Sequence, residues 1–368
     1  MSDVPVWASE LDEILAGVCI WRSRVTSWLG GRMLAASVPI TGGRASAKAG
    51  EDVPEKLTFT VPRYAPAEES GDNVDWRPDA TDHPLGKFGQ ELDVTIIISS
   101  VVTGSSFEYR VGRYLITDWS NDDAGTVTVK AEGLLRRVKG AKLLTASSPS
   151  GTFVSETRRL IPPGMGVSFD PALTDRACPS GMAWSRDRLK NLQEIARAWP
   201  ALLRTDEWGQ LRFTAPLPAV PVPEHTIRDG RWGTLISAPR SDTRTDSYNT
   251  VIVTATGGAG DDVQGIAQIT AGPMSVNGPY GAEVKEWSSD LLTDEAEAFA
   301  AAKVDLDNSM RPAVVIPVRC APDPRLVLDT AVSIQRGDDA PVWGWVTAYD
   351  LPLTVDDGDM RIDVGVSA

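Results

Sequence analysis

The chain has 368 residues, 42% of them apolar, and a formal net charge of −14. That length has room for two or three domains, and that apolar share excludes a globally disordered chain. The acidic balance argues against a general nucleic-acid-binding surface, which carries a basic footprint. Cys19, Cys178 and Cys320 are far apart and form no CxxC pair. They support neither a disulfide framework nor a zinc site and read as small buried apolar residues. No run reaches the roughly 18 apolar residues of a membrane span. The opening MSDVPVWASELDE lacks the basic start of a signal peptide. A protein made in a cytoplasm is expected, either soluble or assembled there into something larger.

Residues 4–16 predict a short helix around Leu11, Ile14 and Leu15. Residues 18–25 and 33–40 read as a strand pair joined by the turn at Gly30 and Gly31. Residues 57–61, LTFTV, alternate cleanly and stop at Pro62. Residues 66–84 are polar and bounded by prolines, with Trp76 in the middle, and read as a long surface loop. Strands follow at 92–100, 107–111, 112–119 and 126–131, with Gly, Asn and Asp at the turns. Short strands at such spacing suggest an antiparallel barrel or sandwich. A brief helical turn at 134–138 leads out of it.

Residues 146–151 form a Ser/Pro/Gly-rich linker, and a helix is expected at 152–161. The stretch SRDRLKNLQEIARAWPALLRTDEWGQLRF at 185–213 is the strongest local pattern in the chain. Leu189, Leu192, Ile195, Ala196 and Trp199 recur at spacings of three and four, so they share a helical face. Ser185 reads as the N-cap and Pro200 as the stop. A hairpin over 202–213 follows, turning at 206–209. Leu189, Leu192, Ile195 and Trp199 are expected to be core. The four prolines of 216–223 predict an extended connector.

The last third is again strand-rich, with strands expected at 248–256, 265–271, 313–320, 330–335, 342–349 and 360–366. A helix at 293–310 is expected to be capped by Thr293 and to carry Ala296, Phe299, Leu306 and Met310 as its apolar stripe, with Lys303 awkwardly inside it.

Chemistry is harder to find. Neither His83 nor His225 has a partner at metal-ligand spacing, and both read as exposed loop residues. The acidic clusters at Asp122-Asp123, Asp261-Asp262, Asp338-Asp339 and Asp356-Asp357-Gly358-Asp359 lack the calcium-loop pattern and read as solvated turns. Gly257-Gly258-Ala259-Gly260 lies between strands with no following Lys-Ser/Thr, so it is not a phosphate cradle. The twelve tryptophans are divided between core, protein interfaces and sugar stacking, and their positions do not separate these uses. No catalytic residue, cofactor or metal ligand is expected.

The run VGRYLITDWSNDDAGTVTVKAEGLLRRVKGAKL at 111–143 resembles the end of the first barrel in siphophage and actinophage tail hub proteins. There a G-x-[FY]-x-I strand precedes a V-x-V-x-G-x-D type strand and a short basic helix. The helix and hairpin at 189–213, the strand YNTVIV at 248–253 and a closing barrel at 313–366 follow in that family's order. VTSWLGGRMLAASVPITGGRASA at 25–47 is similar to the opening of actinophage minor tail proteins of this kind. One departure is Glu132-Gly133-Leu134, where the family often carries an acidic residue after the glycine.

The resemblance implies a mainly β fold with an α+β insert: an N-terminal barrel at 1–147, a small α/β domain at 148–222 and a C-terminal barrel at 223–368. It implies a structural protein of the virion tail tip, active in host attachment and genome ejection. The expected form is a homotrimer whose barrels make a pseudo-sixfold ring on the distal tail protein ring. Tape measure protein occupies the lumen before DNA passes, and receptor-binding or other tail-tip proteins lie beyond. The chain's length implies no C-terminal fibre or lysozyme extension. Candidate interface residues are Trp28, Trp76, Trp119, Trp287 and Tyr280, with the 66–84 and 257–279 segments as candidate contacts. The alternatives are a carbohydrate-binding β-protein using exposed tryptophans and a cell-wall hydrolase.

Overall fold

Alternation along Glu55–Pro62 sets the pattern for much of the chain. Leu57, Phe59 and Val61 are buried, while Lys56 and Thr58 face out. The computed structural model describes residues 9–66, 71–145, 147–239, 241–242, 247–258, 260–310 and 314–366. Among the described residues fourteen strands join in one sheet. Its path runs from Arg32–Ala35 through Cys19–Leu29, Gln90–Ser100, Ser106–Asn121, Thr126–Gly133, Glu55–Pro62 and Gly42–Lys48. It then crosses into the C-terminal strands Val342–Pro352, Met360–Val366 and Val314–Cys320. The fold is mainly β, built on a large and chiefly antiparallel sheet, and one continuous apolar core lines it from both ends of the chain.

Several local expectations are revised. The strands expected at 107–111 and 112–119 are one 16-residue strand, Ser106–Asn121. Register shifts leave Val111 and Thr117 unpaired, so the strand bends at two bulges and does not end. Gly42–Lys48 was not apparent in the sequence because only Ala45 and Ala47 face inward, and two alanines make a faint apolar alternation. The 66–84 segment is not a free surface loop. Tyr64–Pro66 and Asn73–Asp75 pair as a hairpin, and Trp76 and Leu85 pack into the core.

A second core lies in a mixed α/β body. The helix Phe153–Leu160 is capped by Thr152. The helix Arg188–Ala198 buries Leu189, Leu192 and Ile195, and Trp199 follows them into the core. Its N-cap is Asp187, not Ser185. Ser185 is held by Asn191 instead: its hydroxyl donates to Asn191 Oδ1 at 2.7 Å, and Asn191 Nδ2 donates back to the Ser185 carbonyl at 2.8 Å. The hairpin Leu202–Thr205 and Leu211–Thr214 is as expected, and Val167–Phe169 adds a parallel strand to it. Phe153, Phe169 and Phe213 surround the Trp199 ring at centroid distances of 5.6 to 5.9 Å.

The helix Glu295–Met310 joins this second core, although chain order places it beside the C-terminal strands. It lies on a three-stranded sheet of Val263–Gln268, Thr250–Ala255 and Val284–Ser289. Its buried stripe is Ala298, Ala301, Ala302 and Leu306; Ala296 and Phe299 are exposed, and so is Lys303. The Met310 side chain lies outside the described residues. Asp294, not Thr293, caps it, accepting from Glu297 N–H at 2.9 Å. The stripe moved because helix and sheet approach closely: a Cβ on Gly265 would lie 2.1 Å from the Phe299 nitrogen. Only alanines fit that contact, so Phe299 turns outward.

Candidate assembly surfaces

The two ends of the chain meet where Gly42–Lys48 pairs with Val342–Pro352. Side chains lock this seam. Asp357 accepts from Gly43 N–H with both oxygens, at 3.0 and 2.9 Å. Arg44 donates to the carbonyls of Asp357, Asp350 and Asp359 and pairs with the Asp350 carboxylate at 2.7 Å. The acidic run at 356–359 is therefore a latch, not only a solvated turn. A Cβ on Gly43 would lie 2.5 Å from Phe59 Cβ, so the neighbouring strand requires glycine there.

The hairpin of the α/β body is gripped from both sides of the seam. Thr205 donates to Glu55 Oε1 at 2.8 Å. Arg110 donates to the Glu207 carbonyl at 2.9 Å and its guanidinium lies 3.9 Å from the Trp208 ring centroid. From the C-terminal side, Asp329 takes a two-pronged pair from Arg204 at 2.7 and 3.2 Å. A cleft of about 900 Å3 lies among these groups. Burial pushes the Glu55 carboxyl up, and the Tyr114 and Tyr349 phenols beside it are pushed up as well, also by burial. At the root of the body, Glu91 takes ion pairs from Arg113 and Arg137, and Arg110 pairs with Asp93. None of these contacts was found from sequence. Arg44 and Asp357 stand 313 positions apart, and no local pattern marks either residue as the other's partner.

Trp76 is 2% exposed and donates to the Ala65 carbonyl at 3.3 Å, which removes it from any partner-facing surface. Trp28 and Trp119 are half-buried, Trp119 against the sheet core. Trp287 is also half-buried, with the Arg197 guanidinium 3.7 Å from its ring centroid. Tyr280 donates to the Ser247 carbonyl at 3.2 Å. The structure does not gather these residues into one patch: Trp28 and Trp119 lie in the long sheet, and Trp287 packs on the second core. Among the described residues the most exposed tryptophans are Trp208, at 54%, and Trp343, at 47%.

Neither histidine is a plain loop residue. His83 Nδ1 accepts from Leu85 N–H at 3.1 Å, which leaves Nε2 to donate to the Asp75 carbonyl at 3.2 Å. His225 opens the strand His225–Arg228. Burial pushes both imidazoles down. Among the described residues no three His, Cys, Asp or Glu side chains gather as metal ligands. No helix among them is long and apolar enough to cross a membrane.

No family model matches the chain, and no curated protein does. Solved structures match its fold along nearly its whole length. A tail protein from Neisseria meningitidis MC58 is 11% identical with a TM-score of 0.65, over 94% of this chain and 96% of that one. The 43 kDa tail protein of prophage MuSo2 from Shewanella oneidensis is 11% identical with a TM-score of 0.58, over 94% and 98%. The prophage tail protein gp18 from Listeria monocytogenes is 9% identical with a TM-score of 0.50, over 94% and 95%. The chain has the fold of these phage tail proteins.

Proposed function

We propose that this protein is a structural component of a phage tail, a hub at the tail tip that assembles as a homotrimer. The observation that carries the reading is a fold shared with phage tail proteins over 94% of the chain. The locked seam supports it. Arg44 and Asp357 hold the N- and C-terminal strand sets in one sheet, so each subunit offers two β-rich lobes in a fixed relation. Three such subunits form a pseudo-sixfold ring suited to a six-membered distal tail ring. The N-terminal lobe is then 1–147 and the α/β body 148–222, while the C-terminal lobe, 223–368, is interrupted by the sheet and helix of residues 250–310, which pack on the core of the body. Tape measure protein fills the lumen before ejection and DNA follows. With a net charge of −14, an acidic lumen lets DNA slide without adhering. Trp28, Trp119, Trp287 and Tyr280 are retained as subunit or partner contacts.

Native mass spectrometry with electron-microscopy class averages tests this. Threefold particles with a pseudo-sixfold outline are expected, either alone or on addition of a distal tail protein. A chain that stays monomeric under both conditions overturns the hub. A ring lumen lined by Lys and Arg overturns the DNA-passage reading.

A further inference from the structure

The strand Val263–Gln268 lies at the edge of its three-stranded sheet, paired only with Thr250–Ala255 among the described residues. Ile269 N–H donates to the Asn249 carbonyl at 3.0 Å, which fixes the phase of the ladder. Backbone groups of 263, 265, 267 and 269 turn toward the neighbouring strand, and those of Gln264, Ile266 and Gln268 turn to the open edge. Natural edge strands are blunted by lysine, proline or inward charges. The sequence of this one, VQGIAQ, has none of them.

The open edge borders a groove of about 720 Å3, whose other wall is the start of the Glu295–Met310 helix. Ile266 and Phe299 line it and are 46% and 49% exposed. Gly265 lets the helix lie against the strand, and the groove runs beside this contact. The rim is acidic. Asp294 and Glu295 line the groove, and exposed Asp261 and Asp262 lead into the strand. Lys303 is exposed one helical turn beyond Phe299 and does not line it.

We infer that this edge accepts an added β-strand from another protein, an extended segment alternating basic with apolar residues. Main-chain bonds to Gln264, Ile266 and Gln268 supply register. Gly265 and Ala267 face the helix and Ile266 the opposite side, so the apolar side chains fall on the Ile266 face and the basic ones on the helix face, against the acidic rim of Asp294 and Glu295. A second copy of this chain is the poorer occupant, since it brings the same acidic rim and a net charge of −14. The inference does not depend on a place in a phage tail.

The test is fluorescence polarisation of the full chain with a labelled peptide of alternating Lys and Val, about eight residues long to match a strand, against a Glu and Val peptide. Ile266→Pro removes an outward N–H without touching the existing ladder. It is expected to weaken the Lys peptide about tenfold, the loss of one backbone hydrogen bond and its neighbours. Glu295→Lys, at an exposed position, is expected to weaken it less, and added salt to weaken it further. If Ile266→Pro fails to fold, Glu295→Lys decides. Failure of the Lys peptide to bind, equal binding of both peptides, or indifference to the two substitutions overturns the site. So does a fall in native mass on Ile266→Pro, which would assign the edge to a second copy.

Discussion

The long sheet and the α/β body bury the same kinds of apolar side chains but achieve order by different means. Sheet strands run up to 16 residues, and neighbours pair over as many as eleven positions. Their main-chain ladders define where most segments go, with side-chain latches added at the seam between the two ends. Strands of the body are three or four residues long, too short to be specified by a ladder. Buried polar side chains take over there. Glu156, 2% exposed, accepts from Trp184 Nε1 at 2.7 Å, Ser150 N–H at 3.1 Å and Arg159. Asn191 holds Ser185. Asn249, in the adjoining sheet, donates to the Met274 and Gly281 carbonyls and accepts from Glu283 N–H. Long strands need few such anchors, whereas short ones joined by loops need one for each segment they place.

Substitutions can break this contrast. The largest effect is expected from aromatic truncation in either core. Trp199→Ala and Phe59→Ala should each cost about 3–5 kcal/mol by transfer and cavity terms, read by urea denaturation. Equal losses in one shared transition would show that the two cores unfold together. Separate transitions would show that the junction of Arg204, Thr205 and their partners does not couple them.

Asn249→Ala comes next, at about 2–4 kcal/mol, because it strands several buried partners. A comparable loss from Ser23→Ala, whose hydroxyl donates to the Leu353 carbonyl across the long sheet, would abolish the distinction between anchored and laddered regions. Gly265→Ala should cost about 1–3 kcal/mol through the helix-to-strand clash. Circular dichroism melts of these variants suffice.

Two carboxylates sharpen the comparison through pH. For Glu156, burial pushes the carboxyl up, but hydrogen bonds from Arg159, Ser150 and Trp184 outweigh it and leave the folded value low. Its stabilisation is full at neutral pH and is lost as pH falls below the usual carboxylate range. Glu156→Gln should flatten that acid limb. For Glu55, burial dominates and the folded value is raised. The sign reverses: the folded state gains stability as pH falls through the raised value toward the unfolded one. Glu55→Gln should therefore raise the melting midpoint at neutral pH and lose that advantage in acid. An identical pH response of both variants would refute the assignment. The smallest effect is expected from Arg204→Ala, about 0.5–1 kcal/mol for a partly exposed pair.

Much of the molecule was legible in the amino-acid order. The Met360–Val366 strand, the helix expected at 152–161 and the buried face of Leu189, Leu192, Ile195 and Trp199 follow from periodicity and turn residues. These signals act over a few residues, so they survive without knowledge of the fold. The Glu295–Met310 helix was found, but of its face only Leu306 was, because an alanine stripe carries little hydrophobic contrast and Phe299 outweighs it in any periodicity. The interface reading of Trp76 failed for a similar reason, since a polar segment gave no sign that it folds back on the core.

The sequence by itself determined the β-rich class, the central helix and hairpin, and the order of pieces that resembles a tail hub. Only the tertiary structure decided that both ends share one sheet, that Asp357 latches it, and that the Val263–Gln268 edge is left open among the described residues, beside an acidic groove. The physical reason is range. A helix face or a turn is set by neighbours three or four residues away, but strand partners are chosen by which surfaces remain after every other element has packed.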